Sequence, residues 1–174
     1  MRHGPADDSS PTGRDGDRAL TPDGRERTRA VAKALLQADE APLAILSSPL
    51  VRALQTAEIV AAITDLEKRV RDAKDAGGSL GAVEIRREMA PGGDPLALIN
   101  ELVRSGRKRA MIVGHEPDLS MLVSQLTGRH PDQGMLKSMV VGIRVKPLDQ
   151  RLDNERIGTL RFILDPKTLV WQRS

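Results

Sequence analysis

Apolar positions recur along the chain in two rhythms. After Thr21 and Pro22, a cap and first-position pair, Val31, Ala34, Leu35 and Ala38 return at the three-and-four spacing of one helix face. "PLAILSS" at 42–48 is a short unbroken apolar run ending in serines, the pattern of a buried strand. It passes at once into a second helical pattern with Leu50, Ala53, Leu54, Ala57, Val60 and Ala61 on one face. Ser48 and Pro49 are its expected cap and start, and Gly77-Gly78 its expected break.

Beyond the glycines, "AVEIRRE" at 82–88 predicts a strand. "DPLALINELVRSG" predicts a helix capped by Asp94, begun by Pro95 and closed by Gly106. "KRAMIV" then predicts a strand running into Gly114-His115 and a helix carrying Leu119, Leu122, Val123 and Leu126. The last third changes rhythm: "SMVVGIRVK" and "GTLRFILD" read as two strands around a charged turn region, a hairpin at one edge. Strands alternating with helices predict an α/β sandwich in one domain, 1–174, with a mostly parallel central sheet flanked by helices.

Composition narrows the chemistry. Among 174 residues there is no cysteine, which removes disulfides, thiolate nucleophiles and cysteine zinc sites, and fits a cytoplasmic location. No apolar run reaches membrane-spanning length and the start lacks a signal pattern, so no membrane partner is expected. Phe162 and Trp171 are the only aromatics, so Leu, Ile, Val, Met and Ala must build the core; Met89, Met111, Met121, Met135 and Met139 read as filling. The net charge of +3 comes from basic residues interspersed with acids and without aromatic stacking platforms, which argues against nucleic acid.

Three strand ends carry polar groups: Arg2-His3-Gly4, Ser47-Ser48 with Arg52, and Gly114-His115. In open α/β sheets such ends share one ligand crevice, so residues a hundred positions apart meet there. Two guanidinium forks, two imidazoles and a helix start suit a phosphoryl group held without a metal, since the arginines would repel a cation. His130, in a loop, is assigned no role.

Together "RHGPA", "LTPDGRERT", "SSPLVRALQTAEI", "MAPGGDP" and "VGHEPDLSMLVSQLTG" resemble, in order, the histidine phosphatase superfamily, and within it the SixA-type phosphohistidine phosphatases. The resemblance implies a phosphoglycerate-mutase-like fold and a metal-independent phosphatase with no cofactor. It implies that His3 is the nucleophile, that Arg2 and Arg52 hold phosphate oxygens, that His115 donates a further hydrogen bond, and that Gly4 lets the backbone approach the anion. Asp7, Asp8, Asp94 and Glu116 are candidate general acids, and none is singled out. The implied substrate is a phosphohistidine protein or a small phosphorylated molecule, acted on by a monomer. The alternatives are a sugar or nucleotide phosphatase, or a non-catalytic phosphate-binding module.

The chain departs from the pattern twice. Family members carry an apolar strand before Arg-His-Gly, and here only Met1 precedes it, so the first strand is expected to be missing or truncated. Residues 65–88 are long and charged, and are expected to extend a helix over the pocket.

Overall fold

The computed structural model describes residues 1–73, 80–131, 133–151 and 156–173. In chain order these form α1 (Pro22–Gln37), β1 (Ala44–Ser47), α2 (Val51–Ile63), α3 (Leu66–Asp72), β2 (Val83–Ile85), α4 (Pro95–Arg104), β3 (Ala110–Val113), α5 (Asp118–Thr127), β4 (Val140–Val145), β5 (Gly158–Leu164) and β6 (Trp171–Arg173). The strands make two sheets: a parallel one in the order β2-β1-β3 and an antiparallel one in the order β4-β5-β6. None of the described helices is long and apolar enough to cross a membrane.

Two of the three predicted caps operate, those of Thr21 and Asp94. The Thr21 hydroxyl accepts from Gly24 N–H at the head of α1, and the Asp94 carboxylate accepts from Ala97 N–H at the head of α4. Each offsets an orphan donor of the first turn, a contribution of about 1 kcal/mol. Strand alternation then divides the core in two. Ile45, Met111 and Val113 face Val31, Leu35, Ala57 and Val60 of α1 and α2. Ala44 and Leu46, from alternate positions of β1, face Leu98 and Leu102 of α4 with Leu119 and Val123 of α5. Helices therefore cover both faces of a sheet layer, the predicted α/β sandwich. The antiparallel half is larger than expected, because β6 adds a third strand to the predicted pair.

Three expectations change. The second helix does not run on through 65–88: it ends at Ile63, Asp65 adopts a left-handed backbone with φ of 49°, and α3 starts afresh. Leu66 buries into the α1/α2 core, and Arg69 donates to the Ala41 carbonyl, before β1 begins. α3 thus lies toward the entry end of β1, away from Ser47-Ser48; Gly77-Gly78 fall outside the described residues. Met121 is 52% exposed rather than filling, whereas Met89, Met111 and Met135 are buried and Met139 packs against the second core.

Met1–His3 occupies the seam between the two sheets. Arg2 bridges Gly114 in parallel, His3 N–H donates to Gly114 O, and Gly114 N–H donates to Met1 O. On the other side Arg2 N–H donates to Met139 O, and Ser138 N–H reaches both Arg2 O and His3 O. The segment is thus held as a short strand stub by its neighbours on both sides. Beyond it, a cavity of about 550 Å3 runs between the β3 side, Arg109–Ile112, and β4, Val140–Val145. Leu35, Leu102, Leu122, Leu126 and Phe162 line it, and the Met1 amine donates to Ile112 O at 2.8 Å.

The cavity lies between β3, which the stub parallels, and β4, and Met1 is among its lining residues. An apolar, β-branched pentapeptide joined to the Met1 amine is therefore expected to raise the thermal midpoint, each net kcal/mol appearing as about 2–4 °C. A Gly-Ser extension of equal length is expected to leave it unchanged, as read by scanning calorimetry.

Candidate active site

The stub, the end of β1 and the end of β3 bring His3, Arg2, Arg52 and His115 to one place. His3 and His115 are 7% and 4% exposed, with ring centroids 5.1 Å apart. The His3 Nδ1 lies 2.7 Å from the Gly4 carbonyl oxygen. A carbonyl only accepts, so Nδ1 carries the proton and Nε2 carries the lone pair. His115 Nε2 lies 2.8 Å from Ser48 Oγ, and Arg2 Nη1 donates to Met135 O at 2.6 Å.

Arg52 stands at the second position of α2 and is 5% exposed. Its Nη1 donates to the Asp15 backbone oxygen at 2.8 Å and its Nη2 to Asp15 Oδ2 at 2.9 Å. The other Asp15 oxygen pairs with Arg18 at 2.9 Å. Arg52 and Thr56, one turn apart, are both buried. The predicted apolar stripe of α2 is therefore rotated to present polar side chains at its head. Among the described residues, Arg2 Nε, Arg52 Nε and His115 Nδ1 are buried with no hydrogen-bond partner. A buried unsatisfied donor costs about 1–3 kcal/mol, so an anion that accepts from the two arginine Nε–H groups would stabilise the site.

Electrostatics set the protonation states. Burial, with some further push from His115, Arg52 and Arg2, takes the His3 pKa down to about 3 against the bond to Gly4 O. Burial and Arg52 take His115 down to about 4. Both imidazoles are neutral near pH 7. The hydrogen bond from Arg52 holds the Asp15 carboxyl below the usual carboxylate range.

Other predicted residues fall elsewhere. Gly4 N–H donates to Thr56 Oγ1, and a Cβ there would stand 2.7 Å from Thr28 Oγ1. That glycine is required by packing against α1, and its amide is not presented to an anion. Ser48 does not cap α2, whose cap is Leu50 without a side-chain bond; its hydroxyl meets His115 instead. Asp7 and Asp8 are exposed and Asp94 is occupied capping α4. Glu116 lies near enough to Arg2 and the Met1 amine to favour their charged forms; its Oε2 accepts from Ser120 at 2.6 Å. Asp15, Thr56 and Ser138 escaped the sequence reading. Asp15 sits in an aperiodic loop, and the other two look like ordinary small polar residues.

Known proteins share the family pattern and the fold. The model of the histidine phosphatase superfamily (branch 1) matches residues 1–74. An uncharacterized protein of Picosynechococcus sp. is 34% identical over 177 residues, covering 98% of this chain and 96% of its own. The chain belongs to the histidine phosphatase superfamily. It is similar to the protein histidine phosphatase SixA complexed with tungstate, at 25% identity and a TM-score of 0.74 over 95% of this chain and 94% of that one. A putative phosphohistidine phosphatase SixA from Agrobacterium tumefaciens shares the fold, at 20% identity and a TM-score of 0.71 over 95% of each chain. So does a mycobacterial glucosyl-3-phosphoglycerate phosphatase, at 20% identity and a TM-score of 0.59 over 91% of this chain and 94% of that one.

The neutral imidazoles have a thermodynamic consequence. Unfolded histidines take up protons near pH 6.5, whereas folded His3 and His115 resist until about 3 and 4. The unfolded state then binds more protons, so stability falls as pH drops from 6.5 toward 4. In urea denaturation, His115→Gln and His3→Asn are each expected to flatten the pH dependence in that window relative to wild type.

Proposed function

We propose that the chain is a phosphatase that hydrolyses a phosphohistidine protein, or a similar phosphorylated group, through a transient phosphohistidine on His3. The observation that carries this reading is the His3 tautomer: Nδ1–H is committed to Gly4 O, leaving a neutral Nε2 as nucleophile beside two arginines. Nε2 attacks phosphorus, the N–P bond forms as the bond to the leaving atom breaks, and its electron pair goes to the leaving group. Water then attacks the phosphoenzyme, releasing phosphate and returning the lone pair to Nε2.

Arg2 and Arg52 supply charged N–H donors to the phosphoryl oxygens; with Ser48 Oγ accepting from Leu50 N–H and donating to His115 Nε2, His115 carries its proton on Nδ1 and joins them. Every part of that list acts without a metal. A leaving imidazole departs neutral once its far nitrogen is protonated, so it needs no strong acid. An alkoxide does need one. Of the candidate acids, Asp7 and Asp8 are exposed, Asp94 caps a helix, and Glu116 accepts from Ser120 through Oε2 while its Oε1 is buried without a partner among the described residues. A P–N substrate asks least of these groups, and Glu116 is the carboxylate left for an alkoxide leaving group. The similarity to SixA, whose structure holds the oxyanion tungstate, supports the same reading.

With a phosphohistidine peptide, wild type is expected to release phosphate and to trap an acid-labile, base-stable phosphoenzyme. His3→Ala should lose about 10³-fold or more in turnover and all labelling. Equal turnover by the two proteins would overturn the assignment of His3. Tungstate at a hundred times its Kd should stabilise wild type by about 2.7 kcal/mol. Arg52→Ala should lose most of this thermal shift.

A further inference from the structure

We infer that Asp15 is a positioning residue for Arg52, holding the guanidinium by its Nη end so that the Nε edge is left for the phosphoryl group. This deepens the phosphatase reading and rests on it. An arginine offers five N–H donors in a rigid plane: one on Nε and two on each Nη. Asp15 engages one on each Nη at once, through its backbone oxygen at 2.8 Å and its Oδ2 at 2.9 Å. Two bonds from one residue to one end of a planar group fix its rotation as well as its place.

The remaining edge is the informative part. Arg52 Nε is buried with no partner among the described residues, although each Nη already holds one bond to Asp15. An oxyanion that accepts from Nε and the Nη–H beside it can bind without displacing Asp15. The holder is itself held, because Asp15 Oδ1 pairs with Arg18 across one turn at 2.9 Å. The Arg52 side chain is 6% exposed and the Asp15 side chain 66%. The carboxylate therefore grips from the solvent side a charge that lies inside.

The grip also carries a negative charge next to the phosphoryl site, which separates two effects by sign. Removing it lets the guanidinium turn, which weakens stabilisation in the transition state and lowers kcat. The same removal relieves repulsion of an incoming anion, which leaves ground-state binding equal or tighter. A residue needed only for folding would produce neither pattern.

The test is steady-state kinetics on a phosphohistidine peptide, with calorimetric binding of tungstate, for wild type, Asp15→Asn, Asp15→Ala and Arg52→Ala, and for Asp15→Ala combined with Arg52→Ala. Asp15→Ala is expected to lower kcat about 10–100-fold with KM unchanged or lower, and to bind tungstate no more weakly than wild type. Asp15→Asn, which keeps the backbone acceptor and a side-chain oxygen, is expected to fall between wild type and Asp15→Ala. In the Arg52→Ala background, Asp15→Ala should cost less than threefold further. Wild-type kcat in Asp15→Ala would overturn the inference. So would a raised KM with kcat intact, or a full additional loss in the Arg52→Ala background. Wild type that binds tungstate but neither turns over nor labels His3 would overturn the phosphatase reading instead.

Discussion

The arrangement depends on the pairing of Met1–His3 with the strands at either side. His3 N–H on Gly114 O, Arg2 N–H on Met139 O and the shared Ser138 N–H are backbone bonds. They fix where the two functional side chains leave the main chain, whatever those side chains are. Arg2 and His3 leave adjacent positions of the extended stub, and Arg2 remains close enough to His3 to disfavour its charged form. One meets Met135 O and the other meets Gly4 O and the His115 ring. The same pairing ties the parallel sheet to the antiparallel one, so the architecture and the site share a few hydrogen bonds.

That economy has a cost visible in the packing. The stub is short, and the space beside it between β3 and β4 is a cavity lined by apolar side chains together with Glu40, Arg109, Arg144 and Arg161, with Met1 against it. Burial takes the Met1 amine from its ordinary 8.0 down to about 5, so the chain start is neutral at pH 7 where it meets the core. His3 is flanked by Ser138, in a left-handed backbone with φ of 70°, and by Gly4, whose amide donates to Thr56 Oγ1. Ser138 and Thr28 hydroxyls also approach to 3.2 Å, joining the head of β4 to α1. Strain at Ser138 is the kind that surrounding structure must over-determine, and it does so here through the stub and α1.

Buried charge explains the rest of the site. A guanidinium at 5% exposure needs a partner, and Asp15 provides one without filling the whole fork. Burial above all, and the two neighbouring cations after it, make protonated imidazoles unfavourable, which keeps His3 and His115 neutral. The site is thus an assembly of permanent positive charge and neutral nitrogen, suited to a dianion and poorly suited to a metal cation.

Local pattern was enough for most of the elements. Thr21-Pro22 and Asp94-Pro95 stated their helix starts, and Leu119, Leu122, Val123 and Leu126 marked a face that is buried as read. Those signals are short-range, so they survive in one dimension. β6 and the break at Asp65 did not show: Trp171–Arg173 is three residues long, and a left-handed aspartate has no periodic signature. The identities of Arg2, His3, Arg52 and His115 were legible as residue types at strand ends, because their chemistry is written in the side chain. Their partners were not. Asp15 on Arg52, Ser48 on His115 and Thr56 on Gly4 are contacts across 37, 67 and 52 positions. The sequence by itself determined the layered class of fold and the reactive groups. Only the tertiary structure decided which nitrogen of His3 is free, which edge of Arg52 is open and how the chain start is held. Those are properties of the space between segments, and no single segment carries them.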